Sequence, residues 1–466
     1  MRICPKCGKE NSNNAVHCGK CGAVLIKKEN GSKGKSLPIV GIAIAAVLVI
    51  GGAFLLTRNN GTGSKEPQES VAVAATEPAE QESGTTPVTT ESASEAISET
   101  TKEEVSPEEK ENPWGDEVLE AKMRKITGNN NDDFKPEDAK YLTELDLSAE
   151  SRASDNEKII NVGALGKLTN LTYLNLNYNS ISNVSALSEL KDLKVLVLFD
   201  NPVTDIDSLS GLSKLRELYL GGCEGINLSG VSGLESLEYL NLNECNLRDI
   251  GGLSELKSLK HLKLEQNSQL ENIDSLFGLT NMVSLTLYKT AVKDLNALAQ
   301  MNKLERLYMV DTPVSDISGL AELTNLKELF LNNSSNLSDI SALSELTNLT
   351  TLEFEKSSVS DISAVSEMTS LRMLHLSDSE VSDISALSGL ESLVNLELSN
   401  CPVSDISALA DIENLVHLDL SGCPVSDISA LYELTDLLYL NLSGTDVPQE
   451  QIDAFMEAVP DCEVKH

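Results

Sequence analysis

From about residue 113 to its end, this 466-residue chain predicts an α/β repeat solenoid, with a parallel sheet on a concave face and short 3-10 or helical turns on a convex one. Three observations carry the prediction. A motif L-x-x-L-x-L-x-x-(N/C/T/S) recurs with its middle leucine at Leu145, Leu174, Leu196, Leu218, Leu240, Leu262, Leu285, Leu307, Leu329, Leu352, Leu374, Leu396, Leu418 and Leu440. From Leu174 onward ten of the twelve intervals are 22 residues and two are 23, a repeat signature that chance hydrophobic clustering does not produce. The phrase Ser-Asp-Ile-Ser-Ala-Leu also recurs in phase with the leucines, through Asp316, Asp339, Asp361, Asp383, Asp405 and Asp427. Each L-x-L stretch forms a short strand. Fourteen such strands stacked at about 4.8 Å make a curved rod roughly 65 Å long. The leucines pack against neighbouring repeats, so no repeat is stable alone.

The chain opens differently. Cys4-Pro5-Lys6-Cys7-Gly8 is followed by His17-Cys18-Gly19-Lys20-Cys21-Gly22. Each CxxC pair makes a turn that aims two sulfurs at one metal, and two pairs complete a tetrahedral four-thiolate site. Residues 1–26 are too few to fold on an apolar core, so a structural Zn2+ held by Cys4, Cys7, Cys18 and Cys21 is expected. The four thiolates leave no open position for water, and His17 is not needed as a ligand. This segment resembles the short zinc-ribbon module at the start of many bacterial and archaeal membrane proteins.

Residues 27–36 form a basic linker with Lys27, Lys28, Lys33 and Lys35. Residues 37–56, LPIVGIAIAAVLVIGGAFLL, carry no charge over the length that crosses a hydrocarbon core, and predict one transmembrane helix. The lysines before it place the amino terminus in the cytoplasm and the repeats outside the cell, as a single-pass protein of the cell membrane. Zinc thiolates favour the same reducing side. Residues 57–112, rich in Ser, Thr, Glu and Pro, cannot bury a core and predict a flexible stalk.

Residues 113–140, with GDEVLEAKMRKI as a short amphipathic helix and Pro136 opening another turn, predict a helical amino-terminal cap. The repeats then run over 141–445. The 29-residue step from Leu145 to Leu174 holds SAESRASDNEK as an extra loop. Residues 446–466 read as helix then strand and close the other end. With its cap, the repeat pattern resembles the leucine-rich-repeat family, in particular the internalin-like 22-residue class of bacterial surface proteins. That resemblance implies a recognition scaffold whose concave face meets a partner.

The ninth motif position holds Asn179, Asn201, Cys223, Cys245, Asn267, Thr290, Thr312, Cys401, Cys423 and Thr445, which are expected to satisfy buried backbone groups. Cys223 with Cys245, and Cys401 with Cys423, lie one repeat apart. They read as buried thiols replacing asparagine, with disulfides as the alternative. The aspartate ladder reads as capping of the convex turns, with calcium as the alternative.

Strand residues between the leucines face the concave side. Tyr173, Tyr219, Tyr239, Tyr308 and Tyr439 lie in that row, with Phe199, Tyr288 and Phe330 beside it. Exposed aromatics bury area at small entropic cost, so Tyr173, Phe199, Tyr219, Tyr239, Tyr288, Tyr308 and Phe330 are the expected contacts for a protein or glycan ligand. His261, His375 and His417 share the face but stand too many strands apart to form one metal site. The formal charge of −36, concentrated after residue 56, argues against nucleic-acid binding. No nucleophile elbow, phosphate loop or HExxH is present, so no catalytic activity is expected. The function expected is membrane-anchored extracellular recognition or adhesion. The alternative is a transmembrane sensor signalling through the zinc ribbon.

Overall fold

In a computed structural model of the protein, the described residues are Arg2–Ile3, Glu10–Asn11 and 112–466. The zinc ligands expected at Cys4, Cys7, Cys18 and Cys21, the basic linker, the 37–56 span and the stalk up to residue 111 lie outside them. The contacts divide the chain into two units, Met1–Thr100 and Thr101–His466. In the first, Arg2–Ile3 pairs antiparallel with Glu10–Asn11. Among the described residues no helix is long and apolar enough to cross a membrane.

The second unit is built on one fifteen-stranded sheet that follows chain order, from strand Glu144–Asp146 to strand Glu463–Lys465. Every pairing is parallel and in register on the motif leucines, as in Leu285, Leu307 and Leu329. Val464 takes the leucine's place in the last strand, opposite Leu440. The middle leucine of every motif strand is buried and, save for Thr286 and Asn441, its two neighbours are at least partly exposed, the period-two pattern of a sheet covered on one face.

Between strands the chain returns through short 3-10 turns, for instance Ser341–Leu343 and Ser385–Leu387. The tighter i→i+3 bond, such as Leu343 N–H to the Ile340 carbonyl at 2.9 Å, closes the turn in fewer residues than an α-helix. From the turn Gly163–Lys167 onward the second residue of each turn is small: Ala186, Ser208, Gly230, Gly252, Ser275, Ala297, Gly319 and Ala342 are examples. Neighbouring turns pack backbone against backbone at this column. A Cβ on Gly252 would collide with the Leu228 carbonyl oxygen. Gly252→Val is therefore expected to destabilise the domain by about 1–3 kcal/mol, read as a lowered urea midpoint. An unchanged midpoint would show that the turns can move apart.

The aspartate of each Ser-Asp-Ile-Ser-Ala-Leu phrase accepts the backbone N–H of the serine two residues on, at 2.8 Å for Asp316, Asp339, Asp361 and Asp383 and 2.9 Å for Asp405 and Asp427. The accepting residue stands one before the helix cap, so the contact is an Asx-turn and not a standard N-cap. The serine backbone and side-chain hydrogen bonds hold all six carboxyls below the ordinary aspartate value of 3.8. A folded pKa below the unfolded one stabilises the fold above the ordinary value. The contribution is lost as pH falls through the folded pKa. Asn in place of Asp361, Asp383 and Asp405 keeps the turn but cannot titrate. The variant is expected to lose less stability than wild type between about pH 6 and about pH 3. Equal losses in urea melts at the two pH values would contradict this.

Both ends of the apolar core are covered. Helix α1, Glu117–Thr127, starts on Asp116, whose Oδ1 accepts the Leu119 N–H at 2.9 Å, and stops at Gly128, whose φ of 71° is the left-handed conformation glycine takes readily. Asp116 also holds the chain just after the extra loop, accepting from the Ile160 and Asn161 amides. Trp114 and Phe134 pack with ring centroids 5.0 Å apart and join Leu119, Met123 and Leu145 in the buried core. Lys122 Nζ donates to the Leu147 and Ser148 carbonyls beside the first strand. At the far end helix α2, Gln449–Ala458, buries Ile452 and Phe455 and leads into the fifteenth strand.

The ninth-position asparagines and cysteines answer one recurring need, while Thr290, Thr312 and Thr445 donate to the carbonyl three residues before them. Asn201 and Asn267 donate to the carbonyls of Leu176 and Leu242, each 25 residues upstream, and accept the Ile181 and Leu247 amides from the repeat before. Cys223, Cys245, Cys401 and Cys423 point Sγ at the matching carbonyls of Leu198, Leu220, Leu376 and Leu398, at 3.0–3.4 Å. All four are free and buried. Burial pushes the Cys245 and Cys423 thiols up to about 12, so they serve as weak donors and not as reactive thiolates.

Candidate concave recognition face

The sheet turns one row of side chains outward on each side of the buried leucines. Tyr173 and Tyr239 precede a motif leucine, and Tyr219, Tyr308 and Phe330 follow one. Phe330 therefore stands within the row, as the register partner of Tyr308, and not beside it. Phe199 and Tyr288 lie three residues after the leucine, where the chain leaves the strand.

The structure brings some of these rings together. Tyr308 and Phe330 stack at 4.6 Å with planes 8° apart, and Tyr219 and Tyr239 approach to 4.8 Å. Tyr239 continues to His261 at 6.1 Å. Phe199 meets Tyr178 edge-on at 5.7 Å. The sequence reading missed Tyr178. It occupies the column four residues after each leucine where φ is positive, 59° here, a local conformation the leucine pattern does not announce. Among the described residues Tyr173 and Tyr288 join no ring pair. The Tyr288 ring instead faces Lys289 Nζ at 4.8 Å. Cross-strand stacking orders the paired rings, yet all seven predicted aromatics stay partly exposed.

Two phenols are oriented by carboxylates. Tyr219 Oη donates to Glu217 at 2.9 Å, and Tyr308 Oη donates to Glu328 at 2.8 Å. Burial, reinforced by these acceptors, raises both above the ordinary tyrosine value, and burial pushes Tyr239 up to about 12. The phenols are neutral at any physiological pH and present a flat apolar ring with a polar tip.

Beyond Phe330 the face changes chemistry. Glu353, His375, Glu397 and Asp419 follow one another in register on four consecutive strands. His375 Nδ1 lies 3.4 Å from Glu353 and 4.0 Å from Glu355, and its Nε2 lies 3.7 Å from Glu397. Asn332 Nδ2 holds the other Glu353 oxygen at 2.8 Å, and Asn395 Nδ2 sits 3.1 Å from His375 Nε2. Glu355 is raised above the ordinary carboxylate value, first by burial, with Glu397 and Glu353 adding to the effect against His375. His417 approaches the same Glu397 oxygen at 4.0 Å and stacks on Tyr439 at 4.5 Å.

Comparison with known families decides the lineage. The description "Leucine-rich repeat region" matches residues 192–431, and "Leucine Rich repeat" matches 167–188. This chain belongs to the leucine-rich-repeat family. Among solved structures, an internalin (inlF) of Listeria monocytogenes is 31% identical, with a TM-score of 0.65, over 71% of this chain and 96% of that one. A leucine-rich-repeat protein of Leptospira interrogans, 21% identical with a TM-score of 0.63 over 70% of this chain and 84% of that one, shares the fold. No curated protein matches the chain.

This leucine-rich-repeat protein thus divides its concave face into an aromatic stretch, from Tyr173 to Phe330, and an acidic histidine stretch from Glu353 onward. The sequence reading weighed the three histidines only against one another; His261 stands apart, while His375 and His417 both approach Glu397. His375 gathers glutamates instead. A signal was present: Glu353, His375 and Glu397 each follow a motif leucine, at steps of 22 residues. In a register-locked parallel sheet that spacing makes them neighbours.

Proposed function

We propose that this leucine-rich-repeat protein is a membrane-anchored extracellular recognition protein that binds a protein ligand through the aromatic stretch of its concave face. One observation carries the reading. Tyr219, Tyr239 and His261, and again Tyr308 and Phe330, form ordered, partly exposed ring groups on a rigid sheet. Rigid aromatics with polar tips are the residues that dominate protein-binding hot spots, because little side-chain freedom remains to be lost. The likeness to an internalin supports it. The proposed ligand contacts are Tyr173, Phe199, Tyr219, Tyr239, Tyr288, Tyr308 and Phe330.

In the same proposal residues 37–56 cross the membrane once, the lysines before them stay in the cytoplasm, and 57–112 hold the repeats away from the surface. Cys4, Cys7, Cys18 and Cys21 hold a structural zinc on the cytoplasmic side. Two CxxC pairs are the donor set a closed tetrahedral site takes, and the paired dipeptides Arg2–Ile3 and Glu10–Asn11 flank the first of them. The test is a screen of residues 113–466 against cell-surface proteins and polysaccharides, with protease access to a carboxyl-terminal tag on intact cells. Saturable binding to a protein and a cleavable tag are expected. A polysaccharide as the sole binder, or a protected tag, would contradict the reading.

A further inference from the structure

The acidic histidine stretch carries an inference that does not depend on the ligand reading. We infer that Glu355, His375 and Glu397 form a binding site for a divalent transition cation of the zinc type on the concave face. One ligand atom from each residue can be chosen so that all lie within 4.8 Å of one another. Ligand atoms around a tetrahedral zinc sit about 3.3 Å apart, given bond lengths of about 2.0–2.1 Å, so the three side chains need to close by roughly 1–1.5 Å. The strands are fixed by register, so this closure falls to rotation of two glutamates and one imidazole.

Three features favour a cation here over a solvated acidic surface. First, the donor set is mixed: an imidazole with two carboxylates selects a transition cation, whereas calcium takes six to eight oxygens. Second, Glu353, Glu355 and Glu397 crowd one imidazole, and among the described residues no lysine or arginine nitrogen comes within 4.0 Å of them, Lys356 acting on Glu355 only from farther off. Their mutual repulsion is relieved by a positive ion between them. Third, Nε2, 3.7 Å from Glu397, is the ring's ligand atom: Asn395 Nδ2, 3.1 Å from it, turns away on binding, and Glu355, now 4.0 Å from Nδ1, swings toward it. Glu353, held by Asn332, contacts Nδ1, the arrangement in which a carboxylate positions a histidine for a metal. Glu353 is a positioning residue in this account. Three protein ligands leave one position of a tetrahedral ion open toward the concave side.

The test uses the detergent-solubilised full chain and cobalt as a spectroscopic replacement for zinc. Cobalt bound by thiolates gives intense near-ultraviolet sulfur-to-metal bands and visible bands toward the red, whereas cobalt bound by nitrogen and oxygen lacks the former and absorbs weakly at shorter visible wavelengths. The two sites are thus separable in one protein. Wild type is expected to show both signatures and to retain one more equivalent of zinc after dialysis than His375→Ala or Glu397→Gln. Zinc should raise the melting temperature of the repeats in wild type and not in these variants. Glu353→Gln should retain the site with affinity reduced about 10–100-fold. Equal zinc content in wild type and both ligand variants, or no nitrogen–oxygen cobalt signature in wild type, would overturn the inference. The second readout needs no variant to fold.

Discussion

Replacing Leu307 with aspartate is expected to unfold the repeats around it under conditions where wild type is stable. Leu307 has no exposed surface and lies in register between Leu285 and Leu329, so it belongs to two repeat interfaces at once. A carboxylate there loses the apolar contact on both sides and finds no partner for its charge. The cost is about 4–5 kcal/mol or more, near or above the stability of many domains. In a solenoid stability is a sum of repeats and nearest-neighbour interfaces, so the break should divide the array. Urea melts followed by circular dichroism should show a large fall in midpoint or two separate transitions. Leu307→Ala should be milder, about 2–5 kcal/mol. Tyr308→Ala, one residue on and facing outward, should cost far less. A Leu307→Asp protein that melts like wild type would mean the leucine ladder is not what holds the repeats together.

The second large effect falls on binding. Changing Tyr219, Tyr239 and Tyr308 together to alanine is expected to weaken the captured protein ligand by at least about 100-fold, since hot-spot aromatics each contribute about 2 kcal/mol or more. Surface area is lost, and so is the ordering that Glu217 and Glu328 impose on two of the phenols. The fold should survive, because each ring stands on the outer face and the leucine beside it is unchanged. Surface plasmon resonance with a parallel thermal melt separates the two outcomes. Unchanged affinity with an unchanged melt would place the ligand elsewhere.

The strands were legible to within one residue, each starting one position before its motif leucine, because their spacing is a packing constraint. A parallel sheet must return in register, so the leucine period and the ladder period are the same number. The convex turns were legible as short and capped and as 3-10 or helical, and the structure makes them 3-10. That choice follows from how few residues a repeat leaves for the return. The cysteines show a different limit. Spacing puts Cys401 and Cys423 in adjacent repeats whether they bond to each other or not, and only the Leu376 and Leu398 carbonyls at the sulfurs distinguish the two. Within the candidate face, row membership followed from alternation, except that Phe330 was set beside its row. Tyr178 was missed because its column takes a positive φ that the leucine pattern does not announce, and the Glu355–His375–Glu397 group for another reason. A side chain's neighbours across a sheet are residues 20 or more positions away, and they appear only when the repeats are aligned column by column.

The most direct measurement is hydroxyl-radical footprinting of the repeat domain with and without its captured ligand. Protection is predicted at Tyr219, Tyr239, Tyr308 and Phe330, with Phe277, a ring 62% exposed just after a 3-10 turn, oxidised equally in both states. Protection of Phe277 with the concave tyrosines unchanged would contradict the account.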